Sequence, residues 1–360
     1  MILKKGGEDA YFVASNSKRG FFSYYDACFD DARVGHIYAI KGGPGTGKSR
    51  FMRDVASVAK DLSVHIEYIY CSSDPSSLDG IILNGTDECI ALLDATAPHA
   101  FEPKNPGVRE ELVNLGMFWD RSVLLAHRED IDILNREKGE AYRRAYRYLA
   151  GVGEMLAVRD ALVLPFVRRN AIARYAEKLL REIPIGRGYS ARPSLMRSVG
   201  MQGTAMLDGL FYQASRRVLI SNCRGIARYL MEDIVAIAKQ RRQPIRVSHD
   251  PIDPDVIDAI LFCDCGILFA VMDGTAPFPC EKSIGMRRFL DTARMGTVRE
   301  EITHAERVRR AMMEGAVEAL AMVKRAHFQL EDIYSSAMDF SAKEIFTKNF
   351  CQQLFDLQNL

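Results

Sequence analysis

No run in this 360-residue chain is apolar for long enough to cross a bilayer. Its opening residues, Met1-Ile2-Leu3-Lys4-Lys5-Gly6, lack the apolar core of a secretion signal. A membrane-spanning class is excluded on this reading, and the cytoplasm is the expected location. Charge of one sign is also missing: 48 Lys and Arg face 47 Asp and Glu, a formal net charge of +1, so no global field points to a polyanionic partner. The eight cysteines show no paired C-x-x-C spacing. Cys263-Asp264-Cys265 is the one cluster, and without a second Cys/His pair it is expected to be reduced, buried thiol rather than half a metal site. What is present, 48% hydrophobic and 26% charged residues, describes a globular chain too long for one core, so two domains are expected.

Residues 42 to 49 read Gly42-Gly43-Pro44-Gly45-Thr46-Gly47-Lys48-Ser49, a complete G-x-x-x-x-G-K-S phosphate-binding loop. It follows the apolar run His36-Ile37-Tyr38-Ala39-Ile40 and precedes the helix-periodic stretch from Phe51 to Leu62. The chemistry asks for each residue type. Glycines let backbone N–H groups curl around phosphate oxygens, Lys48 supplies a point charge, and the Ser49 hydroxyl can ligate Mg²⁺. The helix that follows points its positive end at the anion.

The chain also contains itself twice. A shift of 179 positions carries Asp74-Pro75 onto Asp253-Pro254, Asp79 onto Asp258, and Asp94-Ala95-Thr96-Ala97-Pro98 onto Asp273-Gly274-Thr275-Ala276-Pro277. One constant offset joining separated segments implies duplication of a whole core. The second copy has lost the loop: Gly42, Gly47, Lys48 and Ser49 fall on Ser221, Ile226, Ala227 and Arg228. Arg224 and Arg228 at a helix start would attract an anion or simply be solvated.

Val34 to Lys41 reads as the first core strand, 64 to 70 as the next, and 90 to 94 as a buried strand ending in a carboxylate. Asp79 is expected to cap a helix-like stretch. Strands alternating with helices predict a parallel sheet, whose ligand sits at the carboxyl ends of the strands. From about residue 117 the pattern turns helical, and a related pattern at a shift of 171 runs from about Val298 to Met338. Pro184, Gly186, Gly188, Pro193 and Gly200 read as a linker between the halves. The predicted fold is α/β, with tandem duplicated P-loop NTPase-like parallel-sheet domains at 1–185 and 186–360, each followed by a helical arm.

Asp94 is the candidate to hold Mg²⁺ opposite Ser49, although its copy Asp273 in the decayed half also suggests a structural task such as an Asx-turn. Asp74 would position or deprotonate the attacking water or hydroxyl. His99, replaced by Phe278 in the copy, would contact phosphate or base, or be a plain surface histidine. Between Arg136 and Arg197, 14 Lys and Arg stand against 6 Asp and Glu, a basic stretch open to polyphosphate, nucleic acid, an acidic partner, or solvent alone.

The loop, the stretch Tyr70 to Gly80 with Cys71-Ser72-Ser73-Asp74-Pro75, and Asp94 to His99 together resemble a family of bacterial tandem P-loop proteins described as ATPases or nucleotide kinases. Asn105-Pro106-Gly107, Asn114-Leu115-Gly116 and His327 through Phe340 fit the same pattern, so the resemblance covers nearly the whole chain. It implies the duplicated fold and ATP binding. Members commonly carry a phosphate loop in both halves, and Ser221–Arg228 departs from that. Three functions are expected from this: Mg²⁺-dependent ATP hydrolysis at a single live loop, phosphoryl transfer to a nucleotide or small molecule, or a nucleotide-gated module whose arms grip a protein.

Overall fold

A computed structural model of the chain describes residues 1–30, 32–85, 88–97, 101–272 and 278–356. It contains two six-stranded sheets assembled in the same order. In the first, Asp9–Phe12, His65–Tyr70, Leu78–Asn84, Cys89–Asp94, His36–Lys41 and Glu110–Asn114 lie side by side. In the second the order is Ser190–Ser194, Pro244–His249, Ile257–Phe262, Ile267–Met272, Arg216–Ser221 and Lys282–Gly285. The helices Lys48–Asp61 and Ala227–Gln240 follow matching strands, 179 positions apart. Each buries one apolar stripe, Phe51, Met52, Val55 and Ala59 in the first and Leu230, Met231, Ile234 and Ala238 in the second.

The sheets are mostly, not wholly, parallel. Leu78–Asn84 runs antiparallel to both its neighbours, as does Ile257–Phe262. This corrects the helix-like stretch expected after Asp79. Ile81-Ile82-Leu83 is a short apolar run, buried on both faces, and such runs favour a core strand over a helix. The expected linker is also shorter than its Pro and Gly residues suggested. Ser190–Ser194 is an edge strand paired with Pro244–His249, and an edge is where Pro193 costs no ladder bond. Arg197–Gly200 pairs with Gly203–Leu207, and the chain's own start, Ile2–Leu3, completes that small sheet.

Two long helices connect the domains: a first arm, Arg128–Val163, and a second arm, Arg299–Ser336, 36 and 38 residues long. Bridges Trp119↔Met338 and Val167↔Leu290 tie the start of each arm to the end of the other, so the arms run antiparallel. Ala141, Ala145 and Leu149 bury against Ala316, Ala319, Leu320 and Val323. Small residues let the axes come close: a Cβ on Gly315 would meet the Tyr148 ring at 2.8 Å.

Each arm delivers a short helix to the other half. Arg169–Leu179 places Ile172 and Ala176 in the second domain's core, beside Leu230 and Ile234. Phe340–Asp356 places Cys351, Leu354 and Phe355 in the first domain's core, beside Phe51 and Val55. Neither core is complete without the other half of the chain.

A buried ionic cluster adds to this join. Arg246 of the second half is 2% exposed, lies 2.7 Å from Asp9 and 3.6 Å from Glu67, and stacks 3.9 Å over the Tyr11 ring. Arg33 also bonds Glu67. Burial pushes the Glu67 carboxyl up, but Arg246, Arg33 and Arg192 outweigh it and hold the group at about 2.

Of the basic stretch 136–197, several members are engaged internally: Arg159 with Asp160 and Glu306, Arg169 with Asp233, and Arg197 with Asp258. No described helix is long and apolar enough to cross a membrane.

Candidate phosphate-binding site

Strand His36–Lys41 lies between Cys89–Asp94 and Glu110–Asn114 and runs parallel to both, so the three carboxyl ends share one edge of the sheet. Register pairs Ile40 with Asp94, which sets that carboxylate beside the loop leaving the strand. The loop then turns on two left-handed glycines, Gly45 at φ 72° and Gly47 at φ 75°, and Gly47 caps the helix Lys48–Asp61. Left-handed backbone at these two positions aims successive N–H groups into one concavity. Thr46 is fully buried and its hydroxyl donates to the Gly43 carbonyl at 3.0 Å, which closes the loop on itself.

The Lys48 ammonium donates to the carbonyls of Gly42 and Gly43 at 3.0 and 2.8 Å and sits 3.5 Å from Asp94 Oδ2. Ser49 Oγ accepts from the Leu78 N–H at 3.0 Å, fixing its hydroxyl at the start of the strand Leu78–Asn84. Asp94 Oδ1 accepts from Thr96 N at 2.9 Å and from the Thr96 hydroxyl, the geometry of an Asx-turn, while Oδ2 faces Lys48. Burial raises the Asp94 carboxyl, Lys48 opposes this, and the buried Asp79 nearby raises it further. Lys48, Ser49 and Asp94 are thus gathered at one end of the sheet.

Asp74 is placed differently. Its carboxylate accepts from the N–H and hydroxyl of Ser76 and from Gln202 at 3.4 Å, contacts that organise its own turn. His99 and Asp273 lie outside the described residues.

Sequence reasoning missed what the arms bring to the loop. The Glu331 carbonyl of the second arm lies where a Cβ on Gly45 would come within 2.5 Å, and Ser335 donates to the Gly45 carbonyl at 3.2 Å. The ring edges of Tyr334 and Trp119 would stand 3.2 and 3.3 Å from a Cβ on Gly43. The Trp119 indole N–H is buried and has no partner among the described residues. From the first arm comes Lys138, half-buried, whose ammonium is destabilised by burial and then by Lys48, with Glu331 acting in the opposite sense. A helical pattern shows that these residues share a face; it does not say what that face covers.

The second half holds a different arrangement at the matching place. Arg228, where the first half has Ser49, is held by Asp160 of the first arm at 3.0 Å and lies 3.7 Å from Glu232. Arg224 and Gly225 have positive φ, and a Cβ on Gly225 would collide with Arg159 and Asp160. An internal ion pair occupies the position that the Ser49 hydroxyl holds in the first half. A cavity of about 1120 Å³ opens between this loop and the arms, with Arg224, Arg307 and Arg310 but also Asp250, Asp253 and Glu314 in its wall.

All eight cysteines are free thiols, and Cys263 is exposed rather than buried. Among the described residues no cluster of three His, Cys, Asp or Glu side chains could hold a metal ion. Hydroxyl and carboxylate together at Ser49 and Asp94 make a hard, oxygen-only donor pair, the type that suits Mg²⁺ with retained water and substrate phosphate. No family model matches the chain, and no curated protein and no solved structure resembles it significantly.

Proposed function

We propose that the first half binds Mg-ATP and hydrolyses it slowly, while the second half is a nucleotide-incompetent copy that braces the site. The observation carrying this reading is the Lys48 ammonium, held on two carbonyls of a loop with two left-handed glycines and set 3.5 Å from the half-buried Asp94 carboxylate. Lys48 would exchange those carbonyls for the β- and γ-phosphate oxygens, giving charge-assisted hydrogen bonds. The loop amides and the N-terminus of the helix Lys48–Asp61 add donors and a favourable dipole. Ser49 and Asp94 would hold Mg²⁺, which neutralises phosphate charge when bound. Lys138 and the unpaired Trp119 N–H add donors to the rim of the loop. Asp74 keeps the role of orienting the nucleophile in this proposal, and its turn would have to release it. Calorimetric titration with Mg-ATP tests the reading: saturable binding in the native chain and its loss in Lys48→Ala are expected, and equal background heats in both would sink it.

A second reading, a nucleotide-gated interaction module, is favoured by the contact of Glu331 and Ser335 with Gly45. A loop that tightens on phosphate would pull on the second arm directly. Solution scattering with a nonhydrolysable analogue would then report a change in shape, and unchanged curves would remove this reading.

A further inference from the structure

The C-terminal helix Phe340–Asp356 lies along the outer side of Lys48–Asp61, and a groove of about 880 Å³ runs between them. Gly47 of the phosphate loop lines one end of it, beside Lys343 and Phe340. One wall carries Arg50, Asp54, Val58 and Leu62, spaced along a single face of the helix; the other carries Phe340, Lys343, Thr347, Cys351 and Phe355. At that end the Lys343 Nζ would stand 3.2 Å, and the Phe340 ring edge 3.8 Å, from a Cβ on Gly47. Lys343 is only 3% exposed, yet no hydrogen bond or ion pair reaches its ammonium among the described residues. Arg50 and Asp54 face it from the neighbouring helix but are bonded to each other at 2.8 Å. Its ammonium lies on the groove lining, so the charge stands beside Gly47 at the edge of the loop. Phe340 beside it is 43% exposed, a large aromatic face left open.

We infer that this groove seats the nucleoside of the bound triphosphate, with Lys343 on the phosphate nearest the ribose and Phe340 stacked on the base. A phosphate chain held at its far end by Lys48 would reach this groove by leaving the loop past Gly47, where the helix Lys48–Asp61 starts and which the groove lining includes. The groove opens at that point and has the volume and partly apolar lining that ribose and base require. Two of its key side chains belong to the second half of the chain, so nucleoside occupancy would clamp the halves together.

This inference rests on the phosphate-loop proposal, and the test separates the two. Mg-ATP and inorganic triphosphate are titrated calorimetrically into the full chain and into Phe340→Ala, Val58→Trp and Lys343→Met variants. Removing one base–aromatic stack should weaken ATP by about tenfold or more while inorganic triphosphate changes by less than about twofold. Val58→Trp, which fills the groove without touching the loop, should do the same. Lys343→Met should weaken both ligands. If the native chain binds ATP and all three variants bind it equally well, the groove inference is overturned and the loop reading stands. Equal loss of ATP and triphosphate in Phe340→Ala and Val58→Trp would also overturn it. A native chain that binds neither ligand would overturn the loop reading itself.

Discussion

Replacing Arg246 by Met removes a nearly enclosed second-half charge from the cluster with Asp9, Glu67 and Tyr11, while keeping an apolar stem over the Tyr11 ring. Asp9 and Glu67 would then be left beside each other's charge in a site that is 10% and 4% exposed at the side chains. Losing one partner of a buried ion pair costs about 3–5 kcal/mol, because the remaining charge stays desolvated. Arg33 still bonds Glu67, which sets the expectation at the lower end, about 3 kcal/mol. The pH dependence has a definite sign. Glu67 is held at about 2, below its ordinary value of 4.5, so its contribution is present above about 4.5 and disappears as pH falls toward 2. Urea unfolding of the native chain and Arg246→Met at a series of pH values measures both effects. The gap between them should be near its full size at pH 7 and narrow below about 4.5. A variant within about 0.5 kcal/mol of native at pH 7, the range of an ordinary surface change, would refute the claim that this cluster joins the halves.

Gly45→Ala places a Cβ 2.5 Å from the Glu331 carbonyl on a backbone at φ 72°. The left-handed conformation alone costs about 1–2 kcal/mol, so a lower melting temperature is expected, with Gly188→Ala, which meets nothing within 4 Å, as the neutral control; equal melting of the two would mean the arm does not pin the loop. In the second half, Arg228 is tied to Asp160, so the Arg224→Ala/Arg228→Ala double variant should keep native ATP turnover within about threefold; a fall of about a hundredfold with unchanged affinity would make the copy a catalytic activator instead.

The loop and the 179-residue offset were legible because both are local. Left-handed turns need glycine, and a duplicated core keeps its spacing, so Lys48–Asp61 and Ala227–Gln240 fall where the sequence placed them. The antiparallel strand Leu78–Asn84 was not legible, since the short apolar run Ile81-Ile82-Leu83 carries no period that separates strand from helix. Nor was the strand Ser190–Ser194, where Pro193 marks a sheet edge as readily as a linker. The largest gap is long-range. Periodicity located the second arm to within about two residues of its observed ends at 299 and 336, whereas the first, expected helical from about residue 117, is observed at 128–163; neither pattern could show that Ile172 completes one core and Leu354 the other. The same limit hid Glu331 and Lys343, which the second half brings to the first half's loop, and Lys138, which the first arm sets near Lys48.

The central claim is that Lys48 binds and stabilises triphosphate. Trp119, the chain's single tryptophan, stands against Gly43 and reports on the loop without a label. Its fluorescence during Mg-ATP titration, followed by phosphate release from the same samples, should be measured for the native chain and Lys48→Ala. A charge-assisted hydrogen bond contributes about 1.5–3 kcal/mol, so the variant should lose about tenfold or more in affinity and its turnover should fall to background. Superimposable titrations with the same phosphate release in both proteins would contradict the account.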